Sequence, residues 1–250
     1  MPGHGVLMAA AQIREADPDD VPSIVSIMRS EMGWPDDERA EALWRWKHEA
    51  NPFGRSPVWV AEIAGEVVAV RAFLRWRMIG PDGAVVHAAR AVDTATRSDA
   101  RGRGLFRALT LNGLESLADH GIDFVFNTPN PQSRPGYLSM GWVAAARLPV
   151  WVRPMSVGSV VRMVRARVPA DIWPVPSELG IAFGNGAAAP GAPSGWRPRA
   201  GCLGTDRSES YLRWRFGMPA LGYRMVTSDE GTGFAIARDR VRGSVVERAL

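Results

Sequence analysis

The segment that most constrains the fold is a strand–turn–helix sequence with two closely spaced glycines at the turn. The run VVHAARAVDTAT (85–96) predicts a strand, and the apolar spacing of LFRALTLNGL (105–114) predicts a helix. RGRG (101–104) lies between them, and glycines there let the backbone approach a ligand without an intervening β-carbon. The amides that begin the helix, its dipole and the arginines all favour phosphate oxygens. The turn therefore predicts a site for a pyrophosphate-bearing cofactor; an ordinary turn before a core helix is the alternative.

Two common phosphate-binding loops do not fit these residues. The P-loop requires GxxxxGK[ST], and no lysine or hydroxyl residue follows the glycines in that way. The dinucleotide-binding loop requires GxGxxG, but Arg107 occupies the position of its third glycine. The residues instead resemble motif A of the GNAT acyltransferase superfamily, written [RQ]xxGx[GA]. Arg101 to Leu105 fit this motif, and Phe106 departs from its final small residue.

Composition excludes several classes of protein. With 250 residues, 46% hydrophobic content and ten tryptophans, the chain holds a proper core in one large domain, or in one domain and part of another. The single cysteine, Cys202, excludes a disulfide framework and a cysteine-based zinc site, and we expect no metal. Neither a signal peptide nor a membrane-spanning run is recognisable, which predicts a cytoplasmic protein.

The basic isoelectric point of 9.9 comes from arginine, since only Lys47 among the 30 basic residues is lysine. This bias, with abundant Ala, Gly and Pro, indicates a GC-rich bacterial genome. A nucleic-acid module would concentrate basic residues and stacking aromatics in one stripe, whereas these arginines are dispersed among 26 acidic residues. We therefore expect no nucleic-acid partner.

The order of predicted elements agrees with the GNAT resemblance along about 140 residues. We predict the order βααβββαβαβ. The strands are 11–16, the two that meet at Ala64-Gly65-Glu66, 85–96, 122–130 and 142–152. The helices are 18–32, 37–50, 105–121 and a short one that carries Tyr137. The strand at 122–130 is continuously apolar, as expected for one buried on both faces. The resemblance implies an α+β fold in three layers, with a mixed, mostly antiparallel central sheet and helices on both faces.

Two further signatures resemble one bacterial branch of GNAT proteins. WKHEANPFG (46–54) fits its WKxxxNPxG pattern, and PNPQSRPGYLSMGW (129–142) fits its PNxxSxxxYxxxGW pattern. The resemblance implies that Tyr137 protonates the leaving CoA thiolate; a tyrosine of the core or a lid is the alternative. It also implies that Asn130 binds CoA, although capping a helix would explain this residue equally well.

The resemblance implies an acyl-CoA site with two parts. The pyrophosphate is held by the loop residues Arg101, Gly102, Arg103, Gly104, Leu105 and Phe106. Pantetheine and the acyl carbonyl bind the main chain of Thr94, Ala95 and Thr96. The large ring of Phe106, one turn into the helix, puts the exact geometry of phosphate binding in question.

The general base is not identifiable from the sequence. Asp93 lies in the right strand, but alternation places it on the face of Ala89 and Ala91. His87 is another candidate, although a lone histidine is more often structural. A water relay to Glu31 or Asp36 is equally open.

The sequence divides into four predicted parts: a GNAT domain at 10–153, a basic helical connector at 154–183, a Gly/Ala/Pro-rich linker at 184–203 and a partial GNAT-like repeat at 204–250. The connector helix either packs on the domain or lies on a membrane surface. The repeat is inferred because Arg213-Trp214-Arg215 and Glu209 echo Arg45-Trp46-Lys47 and Glu41. It lacks a CoA loop, so at most one acyl-CoA site exists. It ends in SVVERAL, a strand-like sequence with no partner after it.

These observations predict an N-acetyltransferase that uses acetyl-CoA as acyl donor. The acceptor is a primary amine of a small molecule, aminosugar or peptide, and transfer is direct within a ternary complex. The alternative is a non-catalytic acyl-CoA-binding or interaction protein of the same fold. The expected partners are acyl-CoA and a small amine-bearing acceptor, and a homodimer is left open.

Overall fold

The structure is a computed structural model that describes residues 10–156, 158, 168–183, 197–230 and 233–250. The chain divides into two compact units. They are Met1–Val143 with Arg197–Thr205, and Ala144–Trp196 with Asp206–Leu250.

The first unit is a sheet with helices on both faces. Its strands are β1 (Gln12–Glu15), β2 (Val58–Ile63), β3 (Glu66–Ile79), β4 (Val85–Thr96) and β5 (Phe124–Phe126). Its helices are α1 (Val21–Met32), α2 (Arg39–His48), α3 (Leu105–Ser116) and α4 (Arg134–Ser139). The order of these elements is the one predicted from the sequence.

The strands lie side by side in chain order, and only the last pair is parallel. β1 to β4 are antiparallel neighbours, and β5 joins β4 in parallel. This mixed, mostly antiparallel sheet with helices on both faces confirms the predicted fold class. β5 is shorter than predicted and half-buried, because it forms an edge of the sheet.

Two apolar clusters attach the helices to opposite faces of the sheet. One cluster joins α1 and α2 to the sheet through residues such as Ile24 and Trp44. The other places Leu105 and Leu109 of α3 against the opposite face, as the apolar spacing of this helix predicts. α3 approaches closely, since a β-carbon at Gly113 would lie 2.6 Å from the Phe73 ring.

Beyond α4 the described part of the chain forms further strands and a helix. They are β6 (Ile181–Ala182), β7 (Gly204–Thr205), α5 (Glu209–Gly217), β8 (Arg224–Thr227), β9 (Phe234–Arg242) and β10 (Val245–Ala249). β7 belongs to the first unit and pairs antiparallel with the far end of β3. The second unit contains an antiparallel sheet in the order β10-β9-β8-β6.

Several sequence predictions need correction beyond α4. The strand expected at 142–152 is not formed; its residues are mostly exposed, and Pro149 lacks the N–H that a ladder requires. The strand-like end of the chain pairs with the strand that precedes it, since β10 is antiparallel to β9 from Val245 to Ala249.

The predicted connector and linker lie partly outside the described residues. Of the connector helix, 157 and 159–167 are not described, and the described stretch 168–183 contains no helix. Of the linker, 184–196 lie outside the described residues, while 197–203 lead into β7 of the first unit.

Candidate active site

The glycine-rich turn forms an amide-lined loop at the start of α3. Gly102 and Gly104 have φ values of +76° and +73°, in the left-handed region that favours glycine. The amides of Gly102, Gly104, Leu105 and Phe106 have no backbone acceptor among the described residues, as expected around a helix N-terminus. A β-carbon on either glycine would meet nothing within 4 Å. The loop therefore presents donors to open space at the positive end of a helix dipole.

Contacts of the first loop arginine fix the loop between β4 and α1. Arg101 forms an ion pair with Glu31 near the C-terminal end of α1, and the Ser98 N–H donates to the same carboxylate at 2.9 Å. Arg101 Nε also donates to the Thr96 carbonyl at 3.4 Å. The side chains of Arg101 and Arg103 both stay exposed, so they remain accessible to a charged ligand.

The strand that leads into this loop has an unpaired edge. β5 pairs with β4 only from Ala88 to Arg90, whereas β3 pairs with it as far as Thr96. The backbone groups of Thr94, Ala95 and Thr96 that point away from β3 therefore have no strand partner in the described part of the chain. The gap between β4 and β5 opens toward the amide-lined loop.

Tyr137 of α4 reaches this end of β4 through an arginine. Arg71 Nη1 donates to Tyr137 Oη at 2.7 Å and also to Thr94 Oγ1. The Tyr137 ring is buried against Phe106, with ring centroids 5.3 Å apart, and against Trp142 at 4.9 Å. The structure thus brings the predicted phenol, the edge of β4 and the helix that carries the loop together.

Phe106, the residue that departs from motif A, packs on α4. Besides contacting Tyr137, its ring carbon Cε1 lies 3.0 Å from the position of a β-carbon on Gly136. No side chain approaches the β-carbon positions of the two loop glycines within 4 Å, so the ring is directed away from the loop. Glycine at 136 makes room for the large residue at 106.

Comparison with known proteins identifies the family. A sequence model of the acetyltransferase (GNAT) domain matches residues 12–145, slightly more than half of the chain. The chain belongs to the GNAT acetyltransferase family. It is accordingly an enzyme of acyl transfer, and the family inferred from the sequence is confirmed.

Solved structures resemble the GNAT domain in fold. A predicted acetyltransferase with acetyl-CoA from Clostridium acetobutylicum is 16% identical, with a TM-score of 0.48 over 57% of this chain and 96% of the other. Glucosamine-6-phosphate N-acetyltransferase from Arabidopsis thaliana is 11% identical, with a TM-score of 0.47 over 57% and 98%. Ribosomal-protein-alanine N-acetyltransferase from Brucella melitensis is 20% identical, with a TM-score of 0.44 over 58% and 98%. No curated protein matches the sequence.

Asp93 lies in a β-bulge of β4, on the opposite face from the one predicted. Thr94 pairs with Arg71 and Val92 with Ala72, so Asp93 is an extra residue, and its φ is +44°. Strict alternation would have placed its carboxylate on the α3 face. The bulge turns it instead toward α2, and the prediction of its face was therefore wrong.

The Asp93 carboxylate is held by two residues of the WKHEANPFG signature. Lys47 Nζ lies 2.6 Å from Asp93 Oδ2, and His48 Nε2 lies 2.7 Å from the same oxygen. Burial would raise the pKa of Asp93, but Lys47 and His48 outweigh it and hold the pKa well below its usual range. A carboxylate with so low a pKa is a poor proton acceptor.

His48 is buried and neutral in this network. Burial lowers its pKa, although the hydrogen bond with Asp93 opposes the shift. We assign the Nε2 hydrogen to the bond with Asp93, which leaves Nδ1 to accept from Ser56 Oγ at 3.0 Å. The network ties the end of α2 to the bulge in β4.

The remaining candidate bases have other positions. His87 is seven residues before Thr94 on β4, which at about 3.3 Å per residue separates them by roughly 23 Å. Glu31 is engaged by Arg101, and Asp36 is exposed, 3.4 Å from Arg29. In the described part of the chain, no group of three or more His, Cys, Asp or Glu side chains is arranged to hold a metal ion.

Asn130 caps the turn that begins α4. Its Oδ1 accepts the backbone N–H groups of Gln132 and Ser133 at 3.0 and 2.8 Å. These bonds close the turn before α4, whose N-cap residue is Ser133, and the exposed Asn130 still has an amide nitrogen for a ligand. The amide nitrogen of Asn127, just beyond β5, is buried without a partner among the described residues.

Arg71 is the site residue that sequence reasoning missed. It lies within the apolar run EVVAVRAFL of β3, where nothing but its charge distinguishes it from the core. A charged residue inside an otherwise buried strand was the available signal.

A separate cavity of about 470 Å³ beside the end of β1 and the start of β2 includes none of the predicted loop or tyrosine residues. No described helix is both long and apolar enough to cross a membrane.

Proposed function

We propose that this GNAT enzyme transfers the acetyl group of acetyl-CoA to a primary amine of a small molecule, aminosugar or peptide. The proposal is supported by one juxtaposition: the amide-lined loop Gly102–Phe106, the unpaired edge of β4 and the phenol of Tyr137. Transfer from a thioester to an amine needs alignment, donors for the oxyanion and an acid for the thiolate. The juxtaposition offers a group for each need.

In this proposal acetyl-CoA binds along β4. The pyrophosphate accepts from the amides of Gly102 to Phe106, and the side chains of Arg101 and Arg103 add charge-assisted donors. The pantetheine arm follows the main chain of Thr94 to Thr96 in the manner of an added strand. Asn130 adds its amide nitrogen at the start of α4. The thioester then lies near Tyr137.

Direct attack within a ternary complex follows from this placement. The amine nitrogen attacks the carbonyl carbon, and backbone donors of β4 stabilise the oxyanion. The tetrahedral intermediate collapses, the C–S bond breaks and its electron pair moves to sulfur. Tyr137 donates its phenolic proton to the sulfur and regains a proton from water.

We assign removal of the amine proton to water, so that the acceptor reacts as the free base. Asp93, the weak candidate from the sequence, is engaged by Lys47 and has a strongly lowered pKa. His87 lies far along the strand. The expected consequence is that kcat/KM follows the ionisation of the acceptor amine, with the same apparent pKa in Asp93→Asn.

We further propose that residues 204–250 form a partial GNAT-like repeat without a CoA loop. The order α5–β8–β9 repeats the order α2–β2–β3, and both helices carry a Glu–Arg pair four residues apart. Arg45 Nε donates to Glu41 at 2.9 Å, and Arg213 Nε donates to Glu209 at 3.0 Å. A single acyl-CoA site is then expected, and acetyl-CoA should titrate at one equivalent per chain.

Thiol release from acetyl-CoA tests the proposed reaction. The full chain is incubated with panels of amines, aminosugars and peptides, and acetyl-CoA binding is followed by thermal shift. Turnover that Tyr137→Phe lowers, while Tyr223→Phe in the second unit does not, supports the proposal. A thermal shift without turnover on any acceptor class supports the non-catalytic acyl-CoA-binding alternative. Absence of a shift contradicts the assignment of the loop.

A further inference from the structure

Arg71 carries a positive charge into the apolar layer between β3 and α3. Its side chain is fully buried. Three aromatic rings surround the guanidinium, whose carbon lies 5.0 Å from the ring centre of Phe73, 5.7 Å from that of Phe106 and 5.3 Å from that of Tyr137. Burial lowers the pKa of Arg71, yet an arginine stays protonated in proteins. A permanent cation therefore lies beside the phenol proposed as acid.

Only part of the hydrogen-bonding capacity of this cation is used. Nη1 donates to Thr94 Oγ1 and Tyr137 Oη, whereas Nε and Nη2 have no hydrogen-bond partner among the described residues. The carboxylate nearest along the neighbouring strand, Asp93, pairs with Lys47 on the opposite face. Buried charges and donors without partners are costly, so their presence indicates that a negative group completes the site.

We propose that Arg71 positions the Tyr137 phenol and stabilises the negative charge that develops on the CoA sulfur. The inference rests on the proposed function, because it takes Tyr137 as the acid for the leaving thiolate. Since Nη1 donates to Tyr137 Oη, the phenol oxygen is an acceptor in that bond and its hydrogen is free to point at sulfur. When the C–S bond breaks, the proton follows the electron pair to sulfur. Arg71 holds the resulting phenolate until water restores its proton.

The cation favours the transition state over the ground state. The thioester sulfur of acetyl-CoA is neutral, and charge appears there only as the bond breaks, so Arg71 raises kcat more than it lowers KM. Arg71 also stabilises negative charge on the sulfur in the complex with the product CoA. A CoA thiol bound beside Arg71 ionises at a lower pH than the free thiol, and this effect needs no acceptor to be observed.

Binding of CoA and desulfo-CoA at different pH values tests this inference. The two ligands share the pyrophosphate and differ only in the thiol. For the wild-type full chain we expect the preference for CoA to grow above about pH 6 and to approach about tenfold near pH 10, the limit that a fall of one unit in a thiol pKa of about 8.5 sets. In Arg71→Met the preference should stay within about twofold, whereas Arg71→Lys should keep part of it.

The matched control is Arg75→Met, in the same strand. Arg75 Nε donates to the carbonyl of Arg55, away from Tyr137, so this variant should keep the wild-type pH dependence. A wild-type protein that binds CoA and desulfo-CoA equally at every pH would overturn the inference, whether or not Arg71→Met folds. A preference that persists in Arg71→Met would overturn it as well. If neither ligand binds, the proposed function fails instead.

Discussion

Substitution of Gly104 by alanine should lower both the thermal stability of the protein and its affinity for CoA, and the two effects can be measured separately. Gly104 has φ +73° and directly precedes α3. An L-residue in the left-handed region costs about 1–2 kcal/mol. Because the new β-carbon meets nothing within 4 Å, this strain is the whole expected cost to the fold. The melting temperature should fall by about 2–8 °C, given about 2–4 °C per kcal/mol for a chain of this size.

The same β-carbon would stand among the amides assigned to the pyrophosphate. A hydrogen bond to a charged group contributes about 1.5–3 kcal/mol. Displacement of the phosphate from two amides therefore costs about 3–6 kcal/mol, a loss of about 10²–10⁴-fold in affinity at 1.4 kcal/mol per factor of ten. Calorimetric titration with CoA measures this loss.

Gly121→Ala is the matched control. Gly121 has φ +67° with nothing within 4 Å of its β-carbon position, and it lies beyond the C-terminal end of α3. Both variants should lose similar thermal stability, while only Gly104→Ala should lose affinity for CoA. Equal CoA affinities in the two variants would refute the assignment of the loop as a phosphate site.

Three further predictions concern the acid, the core and the buried network. Tyr137→Phe should lower kcat by about 10²-fold or more with little change in acetyl-CoA affinity, since it removes the proton donor and leaves the residues of the CoA loop in place. An unchanged kcat in steady-state assays would exclude that role. Gly113→Ala should destabilise the protein in urea titrations. The new β-carbon would lie 2.6 Å from the Phe73 ring, and such overpacking costs about 1–3 kcal/mol. The gain in helix propensity, about 1 kcal/mol, offsets only part of this cost. Stabilisation by Gly113→Ala, or no relief from an added Phe73→Leu, would contradict this packing. His48→Gln should weaken the dependence of the free energy of unfolding on pH below about pH 6.5. The native pKa of His48 lies below its ordinary value of 6.5, so the unfolded chain takes up the proton first as the pH falls. The wild-type protein therefore loses stability below that pH, by up to about 1.4 kcal/mol per pH unit. Equal slopes for both proteins in unfolding experiments between about pH 7 and pH 5 would show that His48 is not the group responsible.

The features that local chemistry determines were predictable from the sequence. The strand 85–96 was predicted with the bounds it has, and the glycine loop and Tyr137 lie at one end of it. The predictions of the strand and of the loop rest on patterns within a short stretch of sequence: alternation and apolar runs, positive φ at glycine and helix capping. The predictions that were wrong depend on pairing between segments far apart in the sequence. The run 142–152 has a strand-like composition but finds no partner, whereas β10 finds one in β9.

Arg71 could not be placed by local reasoning for the same reason. Its partners Thr94 and Tyr137 follow it by 23 and 66 residues. A window around β3 shows only an apolar run with one charge in it. The role of such a residue depends on which side chains the sheet and α4 bring to it.

The bulge at Asp93 connects the two halves of this site. With regular alternation the Asp93 carboxylate would lie on the α3 face, the face on which Arg71 is buried, and an ion pair between them would neutralise the guanidinium. The extra residue re-aims the carboxylate toward Lys47 and His48 of α2, while Thr94, next along the strand, takes the position opposite Arg71. Within the described part of the chain, the cation under Tyr137 consequently has no ion pair with a carboxylate. Such a cation is of use to an acyltransferase because the leaving thiolate is the group that becomes negative there.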